Sequence, residues 1–187
     1  MLKVGITGNI GSGKSLVEEI LIEQNFKTIC ADKISKEIFE NDKKVKEEIF
    51  NLFQTNDRKK IAEIVFEDFD KKNKLEKVIH SKVKQKIENF FEENKNEKIV
   101  FAIVPLLFEA NFEKMFDKII FVSANKEIRL NRILKRNNYE IKHAKKRIES
   151  QLDESEKIYK CDFVIKNENT IEDTKQQIDN ILSKLIW

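Results

Sequence analysis

Eight residues near the N-terminus, Gly8-Asn9-Ile10-Gly11-Ser12-Gly13-Lys14-Ser15, restrict what this chain can fold into more than any other stretch. They match G-x-x-x-x-G-K-[ST], a pattern that carries meaning only between a strand and a helix. Both neighbours are present. Leu2–Thr7 is a short apolar run with strand character, and Leu16, Val17, Ile20 and Leu21 recur at helical spacing directly after the loop. Glycines let the backbone take unusual angles and approach a ligand closely, so successive N–H groups can turn inward at the positive end of a helix and cradle phosphate oxygens. Lys14 adds a mobile charge for β- and γ-phosphates, and the Ser15 hydroxyl suits Mg²⁺. Gly11, Ser12, Gly13, Lys14, Ser15 and Leu16 are therefore the candidate residues for binding ATP.

A loop of this kind needs a parallel sheet behind it. Val-, Ile- and Phe-rich segments at 2–7, 27–31, 98–104, 118–123 and 162–166 read as five buried strands separated by helical stretches, which is the α/β pattern of a five-stranded parallel sheet in a P-loop NTPase three-layer fold. Residues 33–95 carry no strand signal and read as an all-helical insert, in which Leu75, Ile79, Val83, Ile87 and Phe90 lie on one face of a long helix. A second helical stretch, 126–160, begins with the basic residues Arg129, Arg132, Lys135 and Arg136 and reads as a lid. The expected organisation is one domain over 1–187. Its nucleotide-binding core comprises 1–32, 96–125 and 161–187, the insert is 33–95, and the lid with its following helix is 126–160.

Composition narrows the function classes. Thirty-six Lys and Arg against 33 Asp and Glu leave a net charge of only +3, interleaved along the chain, which argues against a dedicated nucleic-acid binder. Two cysteines, Cys30 and Cys161, show neither disulfide-framework nor zinc-site spacing and fit a reducing cytoplasm. No apolar run approaches the roughly 20 residues of a membrane span. The expectation is a cytoplasmic protein with no membrane, nucleic-acid or obligate protein partner. No guanine-reading Asn-Lys-x-Asp segment occurs, and the third strand runs into Pro105 rather than an aspartate, which favours a small-molecule kinase over a GTPase or motor ATPase.

Such a kinase needs a base for the acceptor hydroxyl and arginines for the moving phosphoryl group. Asp32, at the carboxyl end of the second strand, is the candidate base; N-capping of a helix starting near Ile34 is its alternative role. Arg132 and Arg136, four residues apart, share a helix face, and Arg147 is a third lid arginine.

With these residues in place the chain resembles the dephospho-coenzyme A kinases. The resemblance rests on VGITGNIGSGKS, on Cys30-Ala31-Asp32 before an Ile-rich helix, and above all on Val104-Pro105-Leu106-Leu107-Phe108-Glu109. His80 after Val78-Ile79, the Arg132 and Arg136 spacing, Arg147-Ile148 with Gln151, and Asp162-Phe163-Val164-Ile165 leading to Asn167 extend it over nearly the whole length. It implies ATP and Mg²⁺ as cofactors and dephospho-coenzyme A as acceptor. Asp32 would then be the base for the ribose 3′-hydroxyl, with Lys14 and Arg132 acting on the phosphates. His80, Pro105, Leu106, Leu107, Phe108 and Glu109 would belong to the acceptor site, and Arg136, Arg147 and Asn167 would lie near the nucleotide. Four positions depart from the family's habit: Ile103 where an acidic residue is frequent, Ser81 where Pro follows the histidine, Arg129 where Gln is frequent, and Leu16 where Thr usually follows the loop serine. Two other functions share the loop: a nucleoside or nucleoside-monophosphate kinase, and a nucleotide-switched ATPase with no small-molecule acceptor.

Overall fold

A computed structural model describes residues 1–137, 141–149 and 151–186. The first strand, β1 (Leu2–Thr7), leads through the glycine loop into α1 (Lys14–Glu23) and then β2 (Lys27–Cys30). Four helices follow: α2 (Ala31–Asn41), α3 (Lys43–Phe53), α4 (Arg58–Glu67) and α5 (Phe69–Glu93). The chain returns to the sheet as β3 (Ile99–Ile103) and β4 (Lys118–Ser123), leaves again through α6 (Lys126–Asn137), α7 (Ile141–Glu149) and α8 (Glu154–Ile158), and closes with β5 (Phe163–Lys166) and α9 (Ile171–Ile186).

The strands form one parallel sheet in the order β2-β3-β1-β4-β5. β1 is central, with Val4 opposite Phe101 of β3 on one side and Lys118 of β4 on the other. Buried apolar residues run without alternation along β3, as expected for a strand covered on both faces. One face is covered by α1 and α9, whose Val17, Leu21, Ile178 and Leu182 meet Ile6 and Phe101 around a residual cavity of about 10 Å³. The other face uses Gly5, where an added Cβ would come within 2.9 Å of Leu107 and of the Phe116 ring. The missing side chain is what lets these two residues lie directly on β1.

The chain divides into two compact units, one of residues 1–29 and 93–187 and the other of residues 30–92. The second is built from α2 to α5. Its helices bury Ile34, Ile38, Val45, Ile49, Phe53, Ile61, Val83, Ile87 and Phe91 at spacings of three or four, while Lys and Glu cover the outside. Along α5 the buried stripe runs through Val83, Ile87 and Phe91, while Phe90, expected to continue it, is only partly buried. Asp42 and Asp57 cap α3 and α4 by accepting from the Val45 N–H and from the Lys59 and Lys60 N–H groups. Among the described residues no helix is long and apolar enough to cross a membrane.

Phe101 is fully buried and packs edge-on to Phe26 at a centroid distance of 5.4 Å. Phe101→Ala is expected to lower stability by about 3–5 kcal/mol, read from the urea midpoint at constant slope. Burial pushes the Cys161 thiol up to about 12, with Asp162 adding to the shift and Lys157 opposing it. Cys161 therefore stays a neutral thiol at pH 8, and iodoacetamide should alkylate it far more slowly in the native protein than in urea.

Candidate active site

The glycine loop owes its shape to where its carbonyl groups are held. Gly8, Gly11 and Gly13 have φ of 150°, 79° and 98°, in the region that L side chains rarely adopt. Gly13 is the most constrained, since a Cβ there would lie 1.8 Å from Asn167 Nδ2. That amide donates to Ser12 O at 2.9 Å, and Arg132 donates to the same oxygen at 3.2 Å and to Gly11 O at 3.4 Å. With its carbonyls drawn to this side, the loop presents the N–H groups at the head of α1, which no preceding helical turn can satisfy. An anion is the natural partner of that end.

Asn167 is itself held in place. Its backbone N–H donates to Ser123 O at 2.9 Å beyond the end of β4, and its Oδ1 accepts from Thr174 Oγ1 at 3.3 Å and from Arg132 at 3.4 Å. Arg132 completes the circle by donating to Asn167 O at 3.0 Å. The residue expected to clamp phosphates from the lid thus braces the loop through its carbonyls, together with a residue expected to lie near the nucleotide.

The first turn of the loop is fixed from another side. Ile10 N–H donates to Gln151 Oε1 at 2.7 Å, and the Ile10 side chain packs on a small core of Ile133, Ala144 and Ile148 shared by α6 and α7. Lys14 Nζ donates to Gly8 O at 2.7 Å and Asn9 O at 3.2 Å, so its ammonium lies over the loop. Ser12 Oγ is buried with no hydrogen-bond partner among the described residues. Ser15 is exposed on the first turn of α1, and the Leu16 N–H donates to Gly13 O at 3.0 Å.

The turn that follows β3 is anchored at its start. Thr7 Oγ1 donates to Pro105 O at 3.2 Å, Leu107 is completely buried over Gly5, and Leu106 is 41% exposed. Lys160 sits over the Phe108 ring at 5.6 Å, and Glu109 Oε1 accepts from Lys157 at 2.5 Å. Ile103 is buried at the end of β3, so no carboxylate stands there to order a metal.

Asp32 and His80 belong to the second unit. Asp32 is already inside α2: the helix begins at Ala31, its N-cap is Cys30, and no side chain caps it. It lies in the first turn, where a carboxylate is favoured by the helix dipole. His80 is in α5, and partial burial holds its pKa below the ordinary histidine value, opposed by nearby Glu76. Arg147 is exposed in the last turn of α7, and Arg136 lies on α6 with its side chain outside the described residues.

Sequence reading gave Arg129 only as one of the basic residues that open the lid stretch. It is buried, its Cα and carbonyl oxygen lie against Gly11, and one guanidinium nitrogen stands 4.0 Å from Glu154, which in turn accepts from Ser123 Oγ. Its Nε and a second nitrogen have no hydrogen-bond partner among the described residues. The sequence did carry a signal, because Arg129 precedes Ile133 by four residues and so shares its core-facing side. Lys157, Asn9 and the Gln151 contact gave no such sign.

The sequence profile of dephospho-CoA kinases matches residues 2–173. The dephospho-CoA kinase of Fusobacterium nucleatum is 42% identical over 184 residues, covering 94% of each chain. That of Oceanobacillus iheyensis is 37% identical over 193 residues, covering 98% of this chain and 97% of the relative. The solved structure of the Campylobacter jejuni dephospho-CoA kinase is 34% identical and superposes with a TM-score of 0.70 over 98% of this chain and 96% of its own. A braced phosphate loop on a 2-3-1-4-5 parallel sheet, and a profile match over most of the length, lead to one conclusion: the chain belongs to the dephospho-coenzyme A kinase family.

Proposed function

We propose that this protein transfers the γ-phosphoryl group of ATP to the ribose 3′-hydroxyl of dephospho-coenzyme A, giving coenzyme A and ADP in the last step of coenzyme A synthesis. The observation that carries the reading is the loop at Gly8 to Ser15, whose Gly11 and Ser12 carbonyls are bound by Arg132 and Asn167 beside the head of α1, an end suited to a phosphate. Family membership supplies the acceptor.

In this reading the loop binds the ATP phosphates before any chemistry begins. Lys14 moves its ammonium from the loop carbonyls to the β- and γ-phosphates, a short displacement for a flexible side chain. Arg132 keeps two guanidinium nitrogens on the loop and Asn167, so its charge is fixed near the transferring group without cost at the moment of reaction. Asp32 accepts the proton of the 3′-hydroxyl and aligns that oxygen for in-line attack. His80 and the turn at 105–109 bind the acceptor, Arg136 and Arg147 approach the nucleotide from the lid, and the lid limits water at the site.

Among the described residues no group of three or more His, Cys, Asp or Glu could hold a metal ion. Mg²⁺ does not need one, because it usually keeps several waters and is held by few protein oxygens together with substrate phosphates. The exposed Ser15 hydroxyl on the first turn of α1 fits that requirement, and a bound ion would supply compensation of phosphate charge there.

A coupled ADP-release assay with ATP and Mg²⁺ tests the assignment. Dephospho-coenzyme A should stimulate turnover strongly while adenosine and AMP do not; hydrolysis indifferent to any acceptor would overturn it. Asp32→Asn should lower kcat by about 10²–10⁴-fold with an unchanged thermal midpoint, as loss of a general base requires. Gly13→Ala should weaken binding of a non-hydrolysable ATP analogue by at least about tenfold, since its Cβ displaces the Asn167 amide from Ser12 O.

A further inference from the structure

Lys157, in the short helix α8, is only 1% exposed, which is rare for a lysine unless its charge is met. Its ammonium donates to Asn9 Oδ1 at 2.9 Å and to Glu109 Oε1 at 2.5 Å. The first partner belongs to the phosphate-binding loop and the second to the turn after β3. We propose that Lys157 is a positioning residue that fixes the turn at 105–109 against the phosphate loop, so that acceptor and nucleotide are held at one separation. This rests on the reading above that the turn faces the acceptor.

Stability alone gives little reason for a buried lysine at this point. An apolar side chain of similar volume does as well or better than a buried ion pair, whose desolvation cost offsets most of its attraction. What an ammonium adds is direction, because its three donors radiate from one atom and bind two separate segments at a set distance. The two ends of the turn differ in this respect. Its start is tied to the sheet by Thr7 and by the buried Leu107. Its end, at Glu109, is tied through Lys157 to the loop. Asn9 is oriented to receive the ammonium by its own amide, which donates to Leu152 O at 3.4 Å.

The loop, by contrast, has braces that do not involve Lys157. Gln151 holds Ile10, while Asn167 and Arg132 hold Ser12. Removing the ammonium therefore leaves the phosphate site built and frees the Glu109 side of the turn from the loop. The signature is a loss in kcat/KM for the acceptor without a matching loss in ATP affinity.

The test measures Lys157→Met and the double variant Lys157→Met/Glu109→Gln, well below their thermal midpoints, against the wild type and Glu109→Gln. Lys157→Met should lose about ten- to a hundredfold in kcat/KM for dephospho-coenzyme A, while calorimetric affinity for a non-hydrolysable ATP analogue changes by less than about threefold. The double variant, with no stranded carboxylate, should regain thermal stability and leave kcat/KM low. It also carries the comparison with Glu109→Gln should Lys157→Met fail to fold. Analogue affinity falling by the same factor as kcat/KM overturns the proposal, as does recovery of kcat/KM with stability in the double variant, which would reduce Lys157 to neutralising Glu109. Leu106→Ala, at the exposed part of the turn, separates the underlying reading. An unchanged KM for dephospho-coenzyme A in a wild-type-active enzyme would remove the turn from the acceptor site and the proposal with it, whereas a wild type that ignores dephospho-coenzyme A would show that the assigned activity itself is wrong.

Discussion

The carbonyl oxygen of Ser12 accepts from Asn167 and from Arg132 at once, and much of the site depends on that pair of hydrogen bonds. A peptide's N–H and C=O point in opposite directions, so fixing the oxygen of a glycine-rich loop also aims its donors. The glycines permit the required backbone angles but do not select them; an unbraced chain of this sequence would sample many others. Selection comes from groups delivered by two later parts of the chain, α6 and the segment after β5. In the proposed reading the arrangement puts a cation near the phosphates without occupying the loop's donors, because Arg132 satisfies acceptors.

Much of this architecture could be read from residue order. All five strands end within one residue of their expected limits because near-continuous Val, Ile and Phe runs are bounded by loops, and a parallel sheet covered on both faces requires such runs. The second strand stops at Cys30, one residue early, because Ala31 and Asp32 already belong to α2, which also removes helix capping as the role of Asp32. The phosphate loop was legible because its function depends on backbone freedom, and glycine declares that freedom in the sequence.

Side-chain environments were much less legible. Arg132 and Asn167 could be marked for the site, but not that they bind the loop's carbonyl oxygens, since a hydrogen bond across 155 positions in the chain leaves no periodic trace. Arg129 and Lys157 look like ordinary surface cations in a chain that is 37% charged. Their burial follows from the geometry of neighbours: one lies against Gly11, where no side chain intervenes, and the other fills the space between Asn9 and Glu109. Composition predicts how many charges a surface needs, not which of them the fold turns inward.

The central place of β1 has a consequence for the newly made chain. The strand synthesised first has no neighbour until β3 appears, since Leu2 pairs with Ile99, and its other flank stays open until β4. At ordinary synthesis rates of about 5–20 residues per second, the 97 residues between those partners correspond to roughly 5–20 s of waiting on the ribosome. The four helices of residues 30–92 emerge during that interval and are rich in local contacts, so they can become ordered while β1 is still unpaired. In the proposed reading nucleotide cannot hurry this pairing, because Asn167 follows both β3 and β4 in the chain. Capture of ATP would then come only after the central strand has both of its neighbours.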